Sequence, residues 1–251
     1  MTSSTIESLL KSRNAWVKGQ HGDEKAAMVH AELLKSIAAQ YSVFENLRDK
    51  VLKATEEANR DLMVTAQDFA PAKKPFIEIM QPLGIITDDG FGNLICGPKG
   101  RRFLSGGWLE ELAWLAAIAA GADEAVYSQV LGWEVKGYTG ENEIDLIMRK
   151  AEHLAFVSCK ALRSQLDMSD RKQRNRLMDA VHEADNLADH FGRENERVGV
   201  LVTTDLFDEL KMSARYNALM GKAAVLDVRI IPLEELGWEK LVAAMAELLE
   251  Q

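Results

Sequence analysis

Through the first seventy residues, apolar positions recur at intervals of three and four, with no stretch that alternates. Ile6, Leu9, Leu10, Ala15 and Trp16 form one amphipathic stripe that ends at Gly19 and Gly22. From Asp23 the series Ala26, Val29, His30, Leu33, Ile37, Tyr41, Phe44, Leu47 and Val51 predicts a helical hairpin or a short coiled coil. Residues 1–73 are thus expected to be all-helical, and Pro71, Lys73, Lys74 and Pro75 mark the expected domain boundary. Residues 74–104 then predict a short helix over Phe76–Met80 and a hairpin of Gly84–Thr87 with Asn93–Cys96.

From residue 105 to 251 the pattern changes. Gly107–Ala120 carries a helical stripe, with Ser105 in N-cap position and Gly121 beyond the end. Strands are predicted at Val130–Val135, Asn142–Met148 and Leu154–Lys160, followed by a helix from Asp170 to about Phe191 and a strand at Arg197–Thr204. A helix over Leu206–Met220, a strand over Ala224–Ile231 and a helix from Pro232 to Leu249 complete an α/β pattern.

This second part holds the candidate chemistry. A side-chain period of two places Glu143 and Asp145 on one face of their strand, and Ser158 and Lys160 on one face of the next. Glu110 lies in the first turn of the preceding helix, where the macrodipole alone also favours an acid. Carboxylates that hold a cation, with a lysine beside them to position water and steady charge, are what phosphodiester hydrolysis calls for. Arg163, Arg171, Lys172, Arg174 and Arg176 follow closely, and Lys99, Arg101 and Arg102 precede the site. The cations from Arg171 to Arg176 open a predicted helix, the end where positive charge is unfavourable, so they are expected to face an anionic substrate.

Gly-Gly-Trp-Leu-Glu-Glu at 106–111, Asn-Glu-Ile-Asp at 142–145 and an apolar strand ending in Cys159-Lys160 resemble the nuclease domain of CRISPR ancillary effectors, members of the PD-(D/E)xK superfamily. The resemblance runs from about Phe76 to the C-terminus. It implies a restriction-endonuclease-like core in the order helix, three strands, helix, strand, and a Mg²⁺- or Mn²⁺-dependent nuclease acting on DNA or RNA, with a role in antiviral defence. By similarity Glu110, Asp145 and Lys160 are catalytic, with Asp145, Glu110 and Glu143 toward the metal and Arg163, Arg171, Lys172 and Arg174 toward the substrate. One position departs: Ser158 stands where the family pattern has glutamate. A neutral oxygen is a poor ligand for a hard cation, which leaves three alternatives open. Glu143 reaches the metal, Glu183 supplies a migrated acid, or the site is inactive and the fold serves as a nucleic-acid-binding or assembly module. The same effectors carry an α/β sensor for cyclic oligoadenylates, and none is evident in the helical first 73 residues.

Composition narrows the setting. A formal charge of −9 over 251 residues rules against coating nucleic acid by bulk electrostatics and confines any contact to local clusters. Two cysteines, Cys96 and Cys159, offer neither a disulfide framework nor a zinc pattern. Without a long apolar run or a leader-like N-terminus, the protein is expected in the cytoplasm, with no membrane contact. The apolar seam from Ala26 to Val51 suggests a homodimer paired through the N-terminal helices, the alternative being that the seam packs on the nuclease domain of its own chain.

Overall fold

The computed structural model describes residues 4–56, 65, 74–192 and 196–250. Pro71 and Lys73, half of the expected boundary, lie outside the described residues.

Six strands form the central sheet in the order β1-β4-β5-β6-β7-β10, comprising Ala15–Gln20, Glu124–Val135, Tyr138–Lys150, His153–Lys160, Arg197–Val202 and Val228–Ile231. The first four run antiparallel, and β6, β7 and β10 run parallel. Helix α6 (Trp108–Ala119), β4, β5, β6, helix α7 (Arg171–Phe191) and β7 follow one another in chain order. This is an α/β fold with the restriction-endonuclease-like core, preceded by helices α1 (Ile6–Lys11), α2 (Glu24–Ala39) and α3 (Tyr41–Glu56).

The N-terminal region also holds a strand where the sequence predicted helix. Asn14 takes a left-handed φ of 57°, which ends the first helical segment, and Ala15, Trp16 and Val17 then pair antiparallel with Trp133, Gly132 and Leu131. Tertiary pairing overrides the helical spacing here. The Trp16 indole lies across Gly132, where a Cβ would stand 2.6 Å from the ring, and Trp133 covers Gly140 in the same way.

The sheet separates two cores. On one face α6 packs against α2 and against α9 (Trp238–Leu249), burying Trp108, Leu109, Leu112 and Ala116. The stripe expected from Trp108, Leu109, Leu112, Leu115, Ala116 and Ala119 is broader in the structure, since α6 is covered from more than one side and Ala113, Trp114 and Ala117 are buried as well, while Leu115 is half-buried and Ala119 is exposed. On the other face α1, α7 and α8 (Asn217–Val225) cover Ile144, Ile147, Phe156 and Val200. Leu33, Ile37, Tyr41, Phe44 and Val51 are all buried in the first core, where Phe44 meets Phe76 and Trp108 edge-on and Tyr41 stacks on Trp108. The seam that suggested a dimer is therefore used within its own chain.

The expected short helix is α4 (Lys74–Met80), and the hairpin is reduced to β2 (Thr87–Asp88) and β3 (Leu94–Ile95). Ser105 does not cap α6. The short helix α5 (Pro98–Arg102) runs through a wide turn, Phe103–Gly107, directly into α6, and the Ser105 hydroxyl donates to the Arg102 carbonyl.

Three C-terminal expectations change as well. Leu206–Met220 is not one helix: it holds a small hairpin of β8 (Phe207–Asp208) and β9 (Ser213–Ala214) before α8 begins, with Asp208 accepting backbone bonds from Leu210 and Lys211 to make the turn. Ala224 and Val225 close α8, and left-handed Asp227 (φ 53°) breaks the chain before β10. Gly237 separates a short 3₁₀ turn at Leu233–Glu235 from α9.

Candidate nucleic-acid-cleaving site

Where β5 and β6 part company, their side chains meet. The ladder between them has its last pair at Leu146 and Val157. One step further, the Asp145 carboxylate takes the place of a backbone acceptor: Oδ2 receives the Cys159 N–H at 2.6 Å and the Ser158 hydroxyl at 3.3 Å. Strand β6 then continues alongside β7, with Ser158 opposite Val200 and Lys160 opposite Val202.

Glu110 arrives from the first turn of α6, and the Ser128 hydroxyl donates to its Oε2. Ser128 is the residue that sequence reasoning missed. It sits within β4 at a φ of 51°, almost wholly buried, where the β4–β5 pairing lapses for one residue between Tyr127–Leu146 and Gln129–Ile144 without a change of register. A non-glycine residue held left-handed costs about 1–3 kcal/mol and persists only where its surroundings enforce it. The irregularity points the hydroxyl out of the sheet toward α6. A small polar residue inside an apolar run was the signal available, and it is a weak one.

These groups act on one another electrostatically. Burial pushes the Glu110 carboxyl up, opposed by the Ser128 hydrogen bond and reinforced by the charge of Asp145. Burial also raises the Asp145 carboxyl, against the Cys159 N–H and the charge of Lys160. Glu143 is exposed, yet its charge adds to the upward push on both acids. For the Lys160 ammonium, burial works downward but is outweighed by the Glu183 hydrogen bond and the charges of Asp145 and Glu183, so the lysine stays protonated. Its Nζ lies 2.7 Å from Glu183 Oε2. The Cys159 thiol is pushed well up by burial and then by Asp145 and Glu110, so it stays neutral.

The N-terminal helices hold the loop that follows Lys160. Tyr41 donates to the Leu162 carbonyl at 2.7 Å, Arg48 donates to the Tyr41 hydroxyl at 2.6 Å, and Glu45 accepts from the Ser164 backbone and hydroxyl. Thr203, at the end of β7, donates to the same Leu162 carbonyl at 2.6 Å.

The structure thus brings Glu110, Asp145, Ser158 and Lys160 together, with Glu183 joined to Lys160. Arg163 is exposed on the held loop, and Arg171 and Lys172 are exposed at the start of α7. With Arg174 they stand nine to twelve residues before Glu183, roughly 14–18 Å along the helix. Arg174 is partly committed, donating to the Met168 carbonyl. The unfavourable charge at this helix start has a local remedy in Asp170, whose carboxylate accepts the Lys172 and Gln173 N–H groups.

As a seat for Mg²⁺ or Mn²⁺ the set falls short. A hard divalent cation wants several oxygen ligands with charge among them. Here Asp145 Oδ2 is engaged by two protein donors, Glu110 is held by Ser128, Ser158 is neutral, and Glu183 is turned to Lys160. Among the described residues, no three His, Cys, Asp or Glu side chains are placed to hold an ion. The expected ligand set of Asp145, Glu110 and Glu143 does not form such a group as it stands.

The chain superposes on solved structures over 98% of its length. One is protein VC1899 from Vibrio cholerae, with a TM-score of 0.67 at 14% identity over 98% of this chain and 61% of that one. Another is Can2 from Sulfobacillus thermosulfidooxidans, solved in complex with cyclic tetra-adenylate, with a TM-score of 0.62 at 11% identity over 98% of this chain and 62% of that one. The chain spans about three fifths of the length of each, and at these identities the likeness speaks for the fold. No curated protein matches the sequence. The model of the Card1-like endonuclease domain matches residues 98–240, which include Glu110, Asp145, Ser158, Lys160 and Glu183, and the chain belongs to that family.

Proposed function

We propose that this chain is a nuclease-fold module that binds nucleic acid through the face around Lys160 without cutting it at the altered motif. The observation that carries the reading is Ser158: its hydroxyl occupies the place beside Asp145 that a third acid would take, and it spends itself on Asp145 at 3.3 Å. Lys160, Arg163, Arg171 and Lys172 supply a local basic face on an otherwise acidic protein, which suits contact with phosphates at a limited footprint. A cytoplasmic, defence-related setting belongs to the same proposal.

A second reading has one observation in its favour. Glu110 and Asp145 are desolvated acids, the first pushed up further by the charge of the second, next to a protonated lysine, an arrangement that stability alone does not reward. Under this reading the chain hydrolyses phosphodiester bonds of DNA or RNA with Mg²⁺ or Mn²⁺.

One experiment separates the two. Labelled single- and double-stranded DNA and RNA are incubated with the full chain and Mn²⁺, and binding and cleavage are followed together. Binding without cleavage, weakened by Arg171→Ala and Lys172→Ala, is the expected result. Cleavage that disappears in Asp145→Ala and Lys160→Ala would select the nuclease instead.

A further inference from the structure

A cavity of about 370 Å³ lies on the far side of Glu110, within the span of roughly 300–1,000 Å³ that small-molecule sites occupy. It is enclosed by the start of α2, by α5 with the turn after it, and by Tyr127 and Ser128 of β4. Ser128 is the connection: it lines the cavity and donates its hydroxyl to Glu110. Whatever fills this space lies one side chain from the acids.

The lining is divided by chemistry. Leu83, Ile85, Phe103 and Tyr127 give it apolar and aromatic walls, while Lys99 and Arg102 stand exposed at its rim. The acids of the lining are already engaged. Asp23 accepts the Ala26 N–H at 3.1 Å as the cap of α2, and Glu111 is paired with His30 Nδ1 at 2.8 Å, both side chains being 14% exposed. His30 in turn stands edge-on to Phe103, with ring centroids 5.3 Å apart. Among the described residues neither Lys99 nor Arg102 forms an ion pair, and the one bond of Arg102 goes to a neutral acceptor, the His21 carbonyl at 3.2 Å. The lining thus pairs two acids with two cations, but Lys99 and Arg102 stand exposed at the rim without an ion pair, beside an apolar wall, and the charge of Arg102 also reaches Glu110.

From this we infer that the cavity is a nucleotide-binding subsite. The phosphate sits on Lys99 and Arg102, and the base enters among Leu83, Phe103 and Tyr127. The cations supply charge-assisted bonds, and the apolar wall favours a ligand with a ring over a bare anion. The inference deepens the nucleic-acid reading of the neighbouring site, although the ligand has two possible sources: one nucleotide of a bound strand, or a free mononucleotide.

Calorimetric titration of the full chain with adenosine 5′-monophosphate, uridine 5′-monophosphate, inorganic phosphate and a 5′-phosphorylated single-stranded octanucleotide tests it. Two variants leave the acids intact: Lys99→Glu reverses an exposed rim charge, and Ala26→Phe fills the cavity from α2. Saturable binding that weakens at least tenfold in both, with Tm preserved, is expected. Loss confined to the octanucleotide assigns the subsite to a strand, and loss confined to a mononucleotide assigns it to a free ligand. Inorganic phosphate binding as tightly as the mononucleotides would overturn the base pocket. Wild-type affinities in a folded Lys99→Glu protein would overturn the inference entirely, even where the octanucleotide still binds and the broader reading stands.

Discussion

Ser158→Glu tests the central physical claim, that a third acid is missing beside Asp145. The Ser158 hydroxyl lies 3.3 Å from Asp145 Oδ2, and the serine is 4% exposed, so a glutamate there brings a second carboxylate to about the same place with little water between. At roughly 4 Å and an effective dielectric of about 20, two like charges repel by about 4 kcal/mol. That is an upper bound, because one acid of a crowded pair escapes by taking a proton. A loss of about 2–4 kcal/mol in a chain of this size lowers Tm by roughly 4–16 °C near neutral pH.

The pH dependence gives the sign. Both acids would have folded-state pKa values raised by burial and by each other. A raised acid leaves the fold fully stable below its unfolded value and costs stability as pH rises through the folded one. The Tm deficit should therefore be small at pH 4 and grow toward pH 7.5. Mn²⁺ should then reverse it, since a cation that binds only the folded form at a hundred times its Kd returns about 2.7 kcal/mol. Scanning calorimetry of wild type and variant at both pH values, with and without Mn²⁺, reads all of this, and wild type should show little cation-dependent shift. A deficit equal at both pH values and untouched by Mn²⁺ would refute the like-charge reasoning and leave steric overpacking as the cause.

Other expectations follow from single contacts. Asp145→Asn keeps an oxygen for the Cys159 N–H and removes a buried charge, so stability should rise near pH 7 and match wild type below about pH 4, as a denaturant series at the two pH values would show. Glu196→Ala leaves Arg13 buried without its partner, because the pair is only 5% and 2% exposed, and should cost about 3–5 kcal/mol in urea unfolding. Glu183→Gln weakens the hold on Lys160, and fast amine labelling of Lys160, read by mass spectrometry, should increase. Deleting residues 1–73 strips β1 from the sheet and α2 from α6, and the remainder should lose its cooperative thermal transition.

The parts of the site that were legible in the sequence are those set by local periodicity. Asp145 lies on a strand that alternates before it turns apolar, Lys160 ends a continuous apolar run, and Glu110 lies on a helix with an apolar stripe, so each could be placed from its own neighbours. Strand β1 was not legible because Trp16 and Val17 acquire their strand character from Gly132 and Leu131, more than a hundred residues away. The left-handed turn of Ser128 is likewise a product of its surroundings, as β1 reaches across to it: the His21 N–H donates to the Ser128 carbonyl at 2.9 Å, while its hydroxyl is held by Glu110. These misses are linked. The N-terminal segment supplies β1 beside left-handed Ser128, the α3 residues that hold the loop after Lys160, and the α2 wall of the cavity. A region that reads as an appended helical module is thereby part of what positions Glu110 and Lys160. Changes at Tyr41 or Glu45 should reach the site even though neither lies in the motif.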